Sequence, residues 1–472
     1  MNCHTTAICS LLISLGLQGC SSQSLSPWHT EKLVEEYVAG ETDEVQSFGD
    51  YLQLEDRVFT ELEDRVYSQV DTGPENALVR YSSGSESDPQ SYGTNWNRSF
   101  EFSNESPVAG VLLLHGMSDS PYSLRALGEN LAERDYWVIG LRMPGHGTAP
   151  SGMKYVQPED MVQVTRLAMS HLSTSVGDKP IHIIGYSTGA ALALGYSLDA
   201  SEGLASPVPE TLVLISPAIR IHSAASLASF KTGASSVPGL GGLAWLSVMP
   251  EFDPYKYNSF ATNAADVVHR LTRTVDDRIA ARTDTDPPLP PILALKSTVD
   301  ATVTTEAIVD NLLYHLTPGR HELVLFDVNR FAAKASLLVE DPGPLTNRLI
   351  NNDSLPFGLT VITNRDTSTR EVVARHKEPL SAEINDKELP GLAWPRDVFS
   401  LSHVALPFPP DDPLYGSDPP PGDEPLHLGD IPAHGERDLQ KIPGEWLLRM
   451  RYNPFYDVLE DHVLKWMEGA AQ

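Results

Sequence analysis

The sequence predicts an α/β protein with a mostly parallel central sheet flanked by helices. Three observations lead there. Six short, continuous apolar runs alternate with helical patterns, as strands buried on both faces of a parallel sheet do. One of those runs ends in a Gly-x-Ser-x-Gly turn that opens into a helix of small residues. Finally, the three cysteines are Cys3, Cys9 and Cys20, so neither a disulfide nor a cysteine-based zinc site can hold the main domain together. The fold must stand on an apolar core, and 472 residues with 41% apolar content are enough to build one.

The amino terminus has a different character. Residues 7–17 form an 11-residue apolar stretch, the length of a signal-peptide core and too short to span a bilayer. Residues 20–75 form a tether and an acidic segment. Between 31 and 64 there are twelve acids and two bases, and residues 31–70 are helical in pattern. Leu54–Val58 recurs eight residues on as Leu62–Val66, which sets Val58, Leu62 and Val66 on one face, and Glu61 is spaced to pair with Arg65. An amphipathic helix packed on the main domain follows, in preference to a free docking helix.

The main domain, residues 76–472, contains the six runs: Val108–Leu114, Tyr136–Arg142, Ile181–Gly185, Thr211–Ile215, Pro291–Lys296 and Glu322–Phe326. Residues 97–103 add an antiparallel edge strand. Two excursions break the rhythm. Residues 218–290 carry an apolar patch at Leu240, Leu243, Trp245, Leu246, Val248 and Met249, and are read as a cap. Residues 328–402 include a hairpin, Gly358–Thr363 with Arg370–Ala374, and must leave the sheet edge and return to its C-terminal end. A proline-rich loop spans 407–440, with eight prolines between 407 and 425. A last helix follows Asn453-Pro454, an N-cap and N1 pair, with Phe455, Leu459, Val463 and Trp466 on its buried face.

The chemistry centres on Gly185-Tyr186-Ser187-Thr188-Gly189. A sharp turn between an apolar strand and a helix exposes Ser187, and the helix N-terminus favours developing negative charge there. Leu112–Ser123 supplies a His-Gly loop after the preceding strand. The N–H groups of Met117 and Thr188 are the candidate oxyanion donors. His115, and His146 in Leu141–Gly147, are read as shaping their loops rather than carrying protons.

His115-Gly116, Pro144-Gly145-His146-Gly147 and Gly185–Gly189, in that order and spacing, resemble the α/β-hydrolase superfamily. Its branch of monoacylglycerol lipases, lysophospholipases and carboxylesterases, grouped with the serine aminopeptidases, is similar over residues 105–330. The resemblance implies the α/β-hydrolase fold, acyl-transfer hydrolysis, and an acid and a histidine following the serine in chain order. Asp300, just beyond the run Pro291–Lys296, matches the family's acid position. The histidine position soon after Phe326 is empty, since residues 328–375 contain no histidine. Of the later candidates, His376 lies between Arg375 and Lys377, and His462 in the last helix. His427 and His434 belong to the proline-rich loop. His403, in Phe399–Leu406, is the preferred base, with His427 and His434 as the alternatives.

Leu17-Gln18-Gly19-Cys20 resembles a bacterial lipoprotein box. That likeness implies cleavage of residues 1–19, lipidation of Cys20 and an outer-membrane anchor facing the periplasm.

The sequence therefore implies a serine esterase or lipase acting on small or single-chain acyl esters. An aminopeptidase-like enzyme and a non-catalytic hydrolase-like binding protein are the alternatives. No cofactor or metal is implied: there is no H-E-x-x-H pattern and no clustered ligand set. A net charge of −29 argues against a nucleic-acid partner.

Overall fold

A computed structural model describes residues 25–220, 241–300, 303–332, 341–396, 398–417, 426–429 and 450–470. The signal-peptide core, Cys20, His434 and most of the proline-rich loop lie outside the described residues.

Each apolar run forms a strand: β2 (Gly110–Leu114), β3 (Trp137–Leu141), β4 (Ile181–Tyr186), β5 (Thr211–Ile215), β8 (Ile292–Ser297) and β9 (Glu322–Phe326). The edge strand β1 (Phe100–Phe102) runs antiparallel to β3. In the cap region β6 (Trp245–Ser247) pairs with β7 (Phe260–Ala261) in a small separate sheet. The large sheet has the order β1-β3-β2-β4-β5-β8-β9, and then continues. After helix α8 (Gly343–Ile350), strand β10 (Gly358–Asn364) joins β9 in parallel, β11 (Glu371–Lys377) turns back on β10, and β12 (Asn385–Ala393) lies at the edge. The segment 328–402 therefore does not leave the sheet, as the sequence reading had it; it adds three strands to it.

Side chains alternate between the two faces. Leu112, Leu114, Ile183, Leu214 and Leu325 belong to one apolar core. It is covered by α2 (Phe48–Arg65), α4 (Pro158–Val176), α5 (Thr188–Ser201) and α6 (Thr262–Ala280). Val111, Leu113, Ile184, Val213 and Phe326 face the other way. There they meet α3 (Arg125–Ala132) and the C-terminal α9 (Tyr456–Ala470). Phe455, Tyr456, Val458, Leu459, Val463 and Met467 are buried in that last segment, with Trp466 only half-buried. Asn453 caps the turn before α9, accepting the Phe455 N–H at 2.9 Å, so the helix starts two residues later than Pro454.

The acidic segment is less helical than its pattern. Among its described residues only α1 (Pro27–Thr30), α2 and two short 3-10 turns, Tyr67–Gln69 and Pro74–Asn76, form. Residues 31–47 are held by carboxylates that accept backbone N–H groups, an alternative to helix pairing. Glu61 takes those of Val34 and Glu35, and Asp160 that of Ala39. Val58, Leu62 and Val66 are buried, and Arg65 Nε lies 2.6 Å from Glu61. Arg142, fully buried at the end of β3, ties this segment to the sheet through two 3.0 Å bonds to Glu36, and its Nε lies 3.3 Å from Glu55. No helix among the described residues is long and apolar enough to cross a membrane.

Candidate active site

Ser187 sits between β4 and α5 at φ 53° and ψ −112°, a region that side chains other than glycine rarely adopt. The surroundings hold it there. Its N–H donates to Ile215 O at 2.9 Å, and its carbonyl accepts from Ala190 and Ala218 at 3.1 Å. Gly189 lets α5 approach β2, since a Cβ there would stand 2.0 Å from Leu114 O. Thr188 is the first residue of α5, so its N–H has no partner within the helix.

The loop after β2 lies alongside. A Cβ on Gly116 would meet that of Ser187 at 3.3 Å. His115 is buried and holds this loop to the next: Nδ1–H donates to Gly116 O at 2.8 Å, while Nε2 accepts the Met143 N–H at 3.1 Å. Burial drives its basicity well below the ordinary value and that of His146 down to about 4. His146 Nδ1 bonds Pro144 O at 2.9 Å, and its Nε2 lies 3.2 Å from Met117 Sδ.

The structure brings Asp300 and His403 to Ser187. His403 Nε2 is 3.1 Å from Ser187 Oγ, and Nδ1 is 2.7 Å from Asp300 Oδ2. Three anchors hold the histidine segment. Ser297 Oγ donates to Leu401 O at 2.9 Å, Ser402 Oγ to Met450 O at 2.9 Å, and Tyr186 OH to His403 O at 3.3 Å. Asn329, just past β9, bonds Val398 O and Phe399 O, both at 2.8 Å. The chain leaving the added strands is thus stapled to the point where it departed. Burial pushes the Asp300 carboxyl up, but His403 and Lys296 outweigh it and hold the group well below the usual carboxylate range.

The other described candidates are engaged elsewhere. His376, in β11, bonds Thr360 Oγ1 at 2.8 Å; His427 Nε2 donates to Gly416 O at 2.6 Å; His462 Nδ1 donates to Val458 O at 2.7 Å.

Ser187 opens on a cleft of about 280 Å³, lined by Met117 and Thr188 and, from the cap region, by Lys256, Phe260, Ala265 and Val268. Its walls are mainly apolar. They also hold an ion pair that no sequence pattern announces, between Lys256 Nζ and Asp119. Tyr257 N–H also donates to Ser118 O at 2.8 Å, so the cap region grips the loop that carries Met117. A larger hollow, about 520 Å³, lies at the opposite end of the strands among Leu289, Tyr314 and Arg320, away from Ser187.

Residues 105–275 match the family model described as serine aminopeptidase, S33. With the sheet order above, this decides the fold. The chain has the α/β-hydrolase fold. Within it, the family match includes Ser187 and the loops around it and ends before Asp300 and His403. The chain is similar to a thermostable monoacylglycerol lipase of Bacillus sp. (strain H-257), 31% identical over 118 residues, which are 25% of this chain and 46% of the relative. It is also similar to a carboxylesterase of Bacillus subtilis (strain 168), 34% identical over 90 residues, or 19% and 36% of the two chains. The chain thus spans less than half the length of these curated relatives. Among solved structures, that of the monoacylglycerol lipase from Paleococcus ferrophilus aligns with a TM-score of 0.38 at 16% identity, over 48% of this chain and 88% of the other.

Proposed function

We propose that this chain is a serine carboxylic-ester hydrolase for small or single-chain acyl esters, working through an acyl-enzyme on Ser187. The observation that carries the reading is the hydrogen-bonded chain Asp300–His403–Ser187 at the mouth of an apolar cleft. As Ser187 Oγ attacks the ester carbonyl, His403 Nε2 takes its proton and Asp300 balances the imidazolium. The N–H groups of Met117 and Thr188 serve as the oxyanion donors. The tetrahedral intermediate then breaks its C–O bond, and His403 returns the proton to the departing alkoxide. Water repeats the sequence and frees the acid. None of these steps calls for a metal or a cofactor.

Phe260, Ala265 and Val268 suit an acyl chain rather than a polar substrate. An aminopeptidase would need a carboxylate free to meet a substrate amine. Among the described residues lining the cleft, the acidic one is Asp119, and it is tied to Lys256. The ester reading is therefore favoured.

Nitrophenyl esters of graded chain length, monoacylglycerol and aminoacyl amides, offered to the wild type and to Ser187→Ala, test this. Short- and medium-chain esters should turn over with the wild type alone. Turnover of the amides but not the esters would move the assignment to the peptidases.

Lipidation of Cys20, which would anchor the enzyme to the bacterial outer membrane, belongs to the same proposal and rests on the box Leu17–Cys20. Fatty-acid labelling that persists in Cys20→Ser would refute it.

A further inference from the structure

Within the apolar strand β8 one side chain breaks the pattern. Lys296 stands four residues before Asp300, and its side chain is wholly buried. Its Nζ lies 2.7 Å from Asp300 Oδ2, the same oxygen that His403 Nδ1 meets at 2.7 Å. One carboxylate oxygen therefore serves two donors. The first is an ammonium, and the second is the imidazole placed to take the proton of Ser187. The second oxygen, Oδ1, accepts the Val303 N–H at 3.1 Å.

Among the described residues, two other titratable groups are coupled to the pair. Glu306, on α7 (Thr305–Asn311), attracts the ammonium, and the buried Tyr186 phenol, at the end of β4, feels the Asp300 charge. Enclosing an ammonium and a carboxylate away from water is costly, and an apolar pair of similar volume would often be more stable. A serine–histidine–aspartate chain does not require this lysine. While His403 is neutral it offers Asp300 a hydrogen bond but no charge. A carboxyl as buried as this one then needs another cation to stay ionised.

We propose that Lys296 is a positioning residue of the active site: it keeps Asp300 ionised before the proton moves, and fixes which oxygen faces His403. The site then stays competent further into acid than Asp300 and His403 alone would allow. This rests on the serine-hydrolase reading above.

The test is the pH dependence of two rates, fluorophosphonate labelling and kcat/KM for a nitrophenyl ester, in the wild type, Lys296→Met and Lys296→Arg. In Lys296→Met the acid limb should move up by about one pH unit, a roughly tenfold loss on the acid side, with a smaller loss at the alkaline plateau. Lys296→Arg should bring the acid limb back toward the wild type. An equal loss at every pH, with the acid limb unmoved, would overturn the proposal. If Lys296→Met folds too weakly for kinetics, its melting temperature is compared with that of the double variant Lys296→Met with Asp300→Asn, which lacks both charges. That double variant should melt above Lys296→Met alone, and losses that simply add would overturn the coupling. A wild type that neither labels nor hydrolyses esters would instead refute the hydrolase reading, and the melting comparison would still decide whether the two charges depend on each other.

Discussion

Ser187 is held in a strained backbone conformation, so the residues that hold it are as informative as the serine. Gly189 is the sharpest case. Adding one methyl group there places a carbon 2.0 Å from Leu114 O, and the helix must then move off β2. Gly189→Ala should therefore cost at least about 1–3 kcal/mol, as overpacking of a close contact does, and lower the labelling rate of Ser187. A variant with unchanged melting and labelling would show that the close approach has no such role. Ser187 and Asp300 were legible because each lies in a local pattern, a strand followed by a fixed turn. His403 has no local signature and was reached by eliminating other histidines. Lys296 was hidden for a different reason: at the end of an apolar run it reads as the polar boundary of a strand, and only the fold shows it buried. The pairing of Asp119 with Lys256 spans 137 residues, and no sequence pattern announces such a contact.

At the scale of elements, the six apolar runs foretold the parallel sheet within a residue or two, since burial on both faces leaves a continuous signal. Strand β12 left none. Its Asn385-Asp-Lys-Glu stretch, Pro390 and Gly391 are unlike a buried strand, and the reason is that it pairs on one side only, with β11. The acidic stretch 31–47 misled in the opposite sense, because its helical pattern is overridden by the carboxylates of Glu61 and Asp160. The added strands raise a mechanical question: how a histidine returns accurately after an excursion of some seventy residues. Asn329 supplies the answer, because its side chain joins the start of the excursion to its end. Asn329→Ala should loosen the placement of His403 and lower kcat about tenfold with KM little changed, as a loss of orientation rather than of binding. A change confined to KM would assign Asn329 to substrate binding instead.

For the whole molecule, the acid response follows from the buried histidines. Burial lowers His29, His146, His182 and His321 from 6.5 to about 4. The unfolded chain thus takes up these protons more readily than the folded one. Their contribution to stability is complete above about pH 6.5 and is lost as the pH falls toward 4. Glu251 acts in the opposite direction. Burial raises it to about 7, so its contribution is complete below its ordinary value and is lost as the pH rises through 7. His115 is lowered by burial as well, while Glu55, Glu63, Asp160 and Glu460 are raised and side with Glu251; the histidine shifts are the larger and set the sign. The melting temperature should fall steadily between pH 6.5 and 4.5, and a flat or rising profile across that window would mean that these histidines are not buried in neutral form.

The proposal that the catalytic base returns from beyond the added strands is tested most directly by the rate at which a fluorophosphonate labels Ser187 in the wild type, His403→Ala and His427→Ala. Labelling reports activation of the serine without reference to any natural substrate. His403→Ala should label slower by several orders of magnitude, because serine, histidine and acid act as a unit, and His427→Ala should label at nearly the wild-type rate. Rapid labelling of His403→Ala, with His427→Ala inert, would contradict the account.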